Sequence, residues 1–79
     1  MQKPAKYMVI IDAGGSTIAR LLDAERRLVA EFDAGSEEVA VMTSGLEPSR
    51  GAAGPEWDQA LRGHGAEERV LADVYVLDL

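Results

Sequence analysis

The stretch "VIIDAGGSTIARLLD", residues 9–23, admits two folds, and the choice between them sets the architecture of the whole chain. As a hairpin, Gly14–Gly15 forms a two-residue turn, because both central positions of such a turn favour positive φ. The run Tyr7–Asp12 then reads as a strand covered on both faces, being short, apolar and β-branched. Thr17 to Leu22 alternates, with Ile18, Arg20 and Leu22 on one face. Asp23–Ala24–Glu25 offers a second turn, and Arg27 to Asp33 alternates again, with Leu28, Ala30 and Phe32 inward and Val29 and Glu31 outward. As a helix, Ile18, Leu21, Leu22, Leu28, Val29 and Phe32 fall near helical spacing, with Ser16 as cap and Gly35 as stop. The glycine pair and the second turn favour strands. The hairpin is the expectation carried forward.

Beyond residue 34 the pattern changes. In "GSEEVAVMTSGLEP" Ser36 is a candidate N-cap, and Glu37–Glu38 lie in the first turn, where the helix dipole favours them. Gly45 and Pro48 end a short helix predicted over 37–44. "EPSRGAAG", residues 47–54, reads as a mobile loop. Pro55 begins a helical turn that places Trp57, Ala60 and Leu61 on one face and stops at Gly63. "AEERVLAD" is a further short helix and "VYVLDL" a closing strand, with Val74 and Val76 on one side. The predicted fold is therefore α+β, one domain over 1–79. It consists of a three-stranded antiparallel meander, short helices and a final strand (βββ-α-α-β), an order compatible with half of a ribonuclease-H-like sheet. A helical crossover would set the last strand parallel to the first. Helices would cover one sheet face, leaving the other solvated or buried against a second copy.

Composition narrows the function classes. A chain of 79 residues has a thin core, and without cysteine neither disulfide nor thiolate metal site can brace it. Such a domain is expected to gain from a partner or from self-association. Residues 1–30 hold five basic and three acidic side chains, a balance of +2, whereas residues 31–79 hold three and eleven, a balance of −8. Arg26–Arg27 is the only adjacent basic pair, so direct nucleic-acid binding is not expected. The acidic half suits a basic protein partner, simple solubility, or a decoy that imitates nucleic-acid phosphate. Met8 to Ile11 is too short for a signal-peptide core or a membrane span, so a cytoplasmic, non-membrane protein is expected.

The candidate chemistry centres on "DAGGST". Glycine lets backbone N–H groups approach an anion closely, and Ser16 and Thr17 could add hydroxyl donors. The segment "VIIDAGGSTIARLLDAERRLVAEFDAGS" resembles the first β-hairpin region of the sugar-kinase and actin-type ATPase superfamily. That resemblance implies phosphate contact by Gly14, Gly15, Ser16 and Thr17, with Asp12 serving a metal ion. The superfamily holds its nucleotide between two ribonuclease-H-like domains, and this chain has the length of one truncated half. Read by itself, the glycine pair closes a hairpin whose backbone Asp12 and Ser16 tie down.

Other residues carry less. His64 is the only histidine, placed where it would meet the carbonyls at a helix end, and no metal-ligand spacing surrounds it. Trp57 packs on the sheet or, if partly exposed, anchors a partner. Tyr7 and Tyr75 are expected in the core or at an interface. No catalytic residue, cofactor or metal is expected. The leading expectation is a non-enzymatic protein-interaction or homodimerisation module. Its contacts would come from the uncovered sheet face or the edge near Val74 and Val76, with Trp57 and Arg50 of the 47–54 loop. The alternatives are a phosphate- or nucleotide-binding domain built on Asp12–Thr17, and the acidic decoy.

Overall fold

In the computed structural model, which describes residues 4–77 (the side chains of Ser49, Arg50 and Ala66 excepted), the decisive stretch is a hairpin. Strand β1 (Tyr7–Asp12) turns at Gly14–Gly15 into β2 (Thr17–Leu22), pairing from Asp12↔Thr17 to Tyr7↔Leu22. Gly14 has φ 54° and Gly15 φ 94°. The Ala13 N–H donates to the Ser16 carbonyl at 2.9 Å, closing the turn. The helical alternative through Thr17–Phe32 is excluded by this pairing.

The second turn is built by a buried side chain. Asp23 Oδ1 accepts from the N–H groups of Glu25 at 2.9 Å and Arg27 at 3.0 Å, an arrangement that bends the chain locally. The reversal extends to Arg26, which adopts φ 63° and leads into β3 (Leu28–Ala34). The register with β2 shifts between Leu21 and Leu22, where Leu21 faces Ala30 and Leu22 faces Leu28. That bulge changes the expected alternation of β3. Leu28 and Phe32 are exposed rather than inward, because β3 lies at the margin of the sheet.

Helix α1 (Ser36–Met42) follows at once. Gly35 precedes it in an extended conformation and donates its N–H to Glu38 Oε1 at 3.3 Å, so Ser36 is the first helical residue rather than the cap. Gly45 takes φ 80° at the helix exit, as its sequence position implies. The chain then enters β4 (Pro48–Gly51), passes through a 3-10 turn at Pro55–Trp57 and helix α2 (Ala66–Val70), and ends in β5 (Ala72–Val76).

The α+β class with its strand meander stands, and the sheet has five strands in the order β3-β2-β1-β5-β4. Three expectations are corrected. First, β5 runs antiparallel to β1, from Tyr7↔Val76 to Ile11↔Ala72, instead of parallel. The chain recrosses the sheet twice after β3, once in α1 and once in β4, so β5 starts at the end where β1 finishes. The order expected of a ribonuclease-H-like half, with its last strand parallel to the first, is therefore not found. Second, residues 48–51 are not loop: they pair with β5 as a short edge strand, where proline is tolerated. Third, both sheet faces are packed against other segments, with β3 staying largely exposed among the described strands.

Register shows which residues share each face. Val9, Ile11, Leu22 and Val74 point toward the segment after β4, where they pack with Ala52, Trp57, Ala60 and Leu61. Met8, Ile10, Ala19 and Ala34 point the other way, against Val39, Met42 and Leu46 of the α1 side. Met8 through Ile11 are consequently all buried, which explains an apolar run without alternation. Alanine at 19, 52, 60 and 72 lets short helical pieces approach the sheet closely. Among the described residues, no helix is long and apolar enough to cross a membrane.

A Cβ added at Gly14 or Gly15 would meet nothing within 4 Å, so the cost of alanine there is backbone strain alone. Gly14→Ala and Gly15→Ala are each expected to lower stability by about 1–2 kcal/mol, and Gly14→Asn by less, because asparagine tolerates the left-handed region. Urea midpoints at unchanged m-value check this. Losses confined to near zero would contradict the turn.

Candidate functional site

The residues singled out around the glycine turn divide into two groups. Gly14, Gly15 and Ser16 are exposed at the tip of the hairpin. The Ser16 hydroxyl donates to the Ala13 carbonyl at 3.3 Å, so it supports the turn. Asp12 and Thr17 sit one step down, opposite each other at the ends of β1 and β2. They line an open cleft of about 460 Å³ between the α1 start and the α2–β5 junction.

Five elements build this cleft: β1, β2, α1, the end of α2 and β5. Its polar lining is Asp12, Thr17, Ser36 and Asp73, and its apolar lining is Ile10, Val39, Val70 and Leu71. Register explains the gathering: Asp12, Thr17 and Asp73 share the α1 face, since Asp12 opposes Thr17 and Asp73 opposes Ile10. Ser36 is added by the first turn of α1. The two carboxylates have no lysine or arginine beside them in the lining, so the cleft favours a cation over a phosphate. Val70 is 84% exposed and Leu71 52%, giving the rim an apolar surface next to the acids. Asp73 and the Val70–Leu71 pair escaped the sequence reading. Their signal, an acid between apolar residues at a strand start, looks like ordinary strand patterning until the sheet is assembled.

The residues proposed for partner contact fare differently. Trp57 is buried, 5% exposed, with its ring edge-on to Tyr7 at a centroid distance of 5.3 Å and an interplanar angle of 87°. Val74 is fully buried in a strand flanked by β1 and β4, so β5 is not an edge. Both belong to the core: for Trp57 this is the packed reading in place of the contact alternative, and for Val74 it corrects the placement near an edge. Val76 is exposed, and the Arg50 side chain lies outside the described residues. His64 closes its turn through the backbone, its N–H donating to the Leu61 carbonyl at 2.9 Å. Among the described residues no group of three or more histidine, aspartate or glutamate side chains could hold a metal ion.

Two arginines brace the face opposite the cleft. Arg20 is buried in β2, and its Nη1 donates to the carbonyls of Ala60 at 2.8 Å and Arg62 at 3.0 Å. Its Nε lies 3.3 Å from Glu31 Oε2, an ion pair whose alignment falls short of a hydrogen bond. Arg26 lays its guanidinium over Trp57 at 4.8 Å and Tyr7 at 5.4 Å from the ring centroids. Stacking of this kind is worth about 0.5–2 kcal/mol and offsets the left-handed backbone at Arg26. A third arginine, Arg69, pairs with Asp58 and donates to the Gly54 carbonyl at 3.2 Å, tying α2 to the 3-10 turn.

No protein-family model, curated protein or solved structure matches this chain.

Two expectations follow for the arginines. Arg20→Met leaves the Ala60 and Arg62 carbonyls without their donor and should cost about 2–4 kcal/mol, whereas Glu31→Gln, at the half-exposed end, should cost under about 1 kcal/mol. Arg26→Ala keeps the strained backbone and loses the stacking, for about 1–2 kcal/mol. Arg26→Gly relieves the strain and should lie closer to wild type. Chemical denaturation of the four variants tests both orderings; equal losses at Arg20 and Glu31 would overturn the first.

Proposed function

We propose that this domain is a non-enzymatic protein-interaction module that takes a positively charged side chain of its partner into the cleft at the glycine-turn end. One observation carries the reading: Asp12 and Asp73 stand beside the open apolar pair Val70–Leu71, with no basic residue in the lining. A lysine or arginine fits that combination. Its methylenes cover Val70 and Leu71 while its head reaches the carboxylates, with Thr17 and Ser36 as hydroxyl acceptors. The net charge of −6 adds a long-range pull on a basic partner and a repulsion between copies, so a heterologous partner is favoured over a homodimer. Phosphate contact at Gly14, Gly15 and Ser16 is the secondary reading, supported by the exposed backbone of the turn alone.

Titration with a capped tetra-arginine peptide at low salt should shift the amide resonances of Asp12, Thr17, Val70, Leu71 and Asp73. The double variant Asp12→Asn/Asp73→Asn should weaken binding about tenfold, two lost charge contacts of about 0.7 kcal/mol each. Shifts that stay elsewhere, or a double variant that binds as well as wild type, would sink the proposal. Shifts at Gly14–Ser16 on adding ATP with magnesium would favour the phosphate reading instead.

A further inference from the structure

The sheet has two margins, and they are unequal. β4 is four residues long, starts with Pro48, and pairs with β5 through a register shift between Pro48 and Arg50. Those features blunt a margin. β3 runs seven residues, "LVAEFDA", with neither proline nor lysine, and its own register shift is confined to the Leu28–Ala30 end, leaving Ala30–Ala34 regular. It also exposes Leu28 (48%) and Phe32 (37%).

The hydrogen-bond alternation shows which groups face outward. Ala13 and Ser16 form a bonded pair, so the bonded pairs between β1 and β2 continue at Ile11–Ile18 and Val9–Arg20. The residues of β2 that bond to β3 are therefore Thr17, Ala19 and Leu21, opposite Ala34, Phe32 and Ala30. The turn at the far end agrees, because the Asp23 N–H donates to the Arg27 carbonyl at 2.9 Å. The N–H and C=O groups of Glu31 and Asp33 consequently point away from the sheet. Both residues are exposed, with their side chains on the face opposite Phe32; the Glu31 carboxylate also pairs with Arg20, which leaves Asp33 as the stronger open charge.

We infer that this margin of β3 is a docking edge for an extended basic segment of a partner protein, which adds to the sheet as a sixth strand. Backbone pairing at Glu31 and Asp33 would supply the ladder. Lysine or arginine opposite those two residues, and a β-branched or aromatic residue opposite Phe32, would supply the side-chain match. A second copy of this chain fits poorly. Identical strands centred on Phe32 set Glu31 against Asp33, and centred on Glu31 they set that carboxylate against itself. Centred on Ala30, they drive the two bulges into each other. The acids thus block copy-to-copy pairing and admit a complementary strand. This surface is separate from the cleft and does not require it to be occupied.

The test is amide hydrogen exchange on the full chain with a capped peptide of alternating lysine and valine, and with its glutamate–valine counterpart. The lysine peptide should slow exchange at Glu31 and Asp33 at least tenfold and leave Phe32, already bonded to β2, unchanged. Asp33→Lys should weaken the lysine peptide about tenfold and gain binding of the glutamate peptide. Asp33→Pro removes an outward N–H and should keep the fold while losing the peptide. The inference is overturned by protection at Glu31 and Asp33 that rises with protein concentration alone, or by peptide binding indifferent to Asp33→Lys. Asp12→Asn/Asp73→Asn should leave the protection intact, so failure of the cleft and failure of the edge are read separately.

Discussion

Two consecutive left-handed glycines set the frame on which everything else is hung. With Gly14 and Gly15 at the turn, Ala13 must meet Ser16, and the register of β1 with β2 follows residue by residue to Tyr7↔Leu22. Because side chains alternate strictly along strands, that register also decides which face each residue occupies. A slip of β2 by one position, with β1 held in place by β5, would turn Arg20 from its carbonyl partners toward α1 and Leu22 away from the Trp57 side. It would also move Thr17 out of the cleft it shares with Asp12.

The second determinant is how a small chain covers a sheet on both sides. One face receives α1, brought back immediately after β3. The other receives the irregular segment from Ala52 to Leu61, which has little regular structure of its own. Such a segment needs polar anchors, since burial of a few alanines and one tryptophan does not by itself position a backbone. Arg20 supplies them by bonding the carbonyls of Ala60 and Arg62, and Arg26 clamps Trp57 from outside. The buried arginine is thus a structural bolt whose charge is shared between two carbonyls and Glu31. Breaking it exposes a different weakness from breaking the turn: the turn governs pairing, the arginine governs cover.

Charge and open apolar surface meet in the cleft and along the β3 margin, both outside this frame. The cleft joins Asp12 and Asp73 to Val70 and Leu71, and the β3 margin joins Glu31 and Asp33 to Phe32. In both, an apolar surface that would invite self-association is flanked by carboxylates that penalise contact with another acidic copy. That pairing of an attractive and a repulsive element is the usual route to selectivity.

The amino-acid pattern alone carried the hairpin, the buried run Met8–Ile11, the α1 position and the sharing of one face by Ile18, Arg20 and Leu22, because these depend on neighbours within a few residues. It was silent or misleading wherever the outcome depended on distant segments. Composition marks Pro48–Gly51 as loop, yet pairing with β5 makes it a strand; Val74, expected near an edge, is central because β4 pairs beyond it. The direction of β5 follows from the number of crossings after β3, a property of the path rather than of any local motif. Asp12 was legible as a candidate from its place before the glycines, whereas Asp73, separated from it by sixty-one positions, joins it only through the β1–β5 register. Local chemistry determined the turns and the strands; long-range pairing, which no short window of sequence encodes, decided which of their side chains meet.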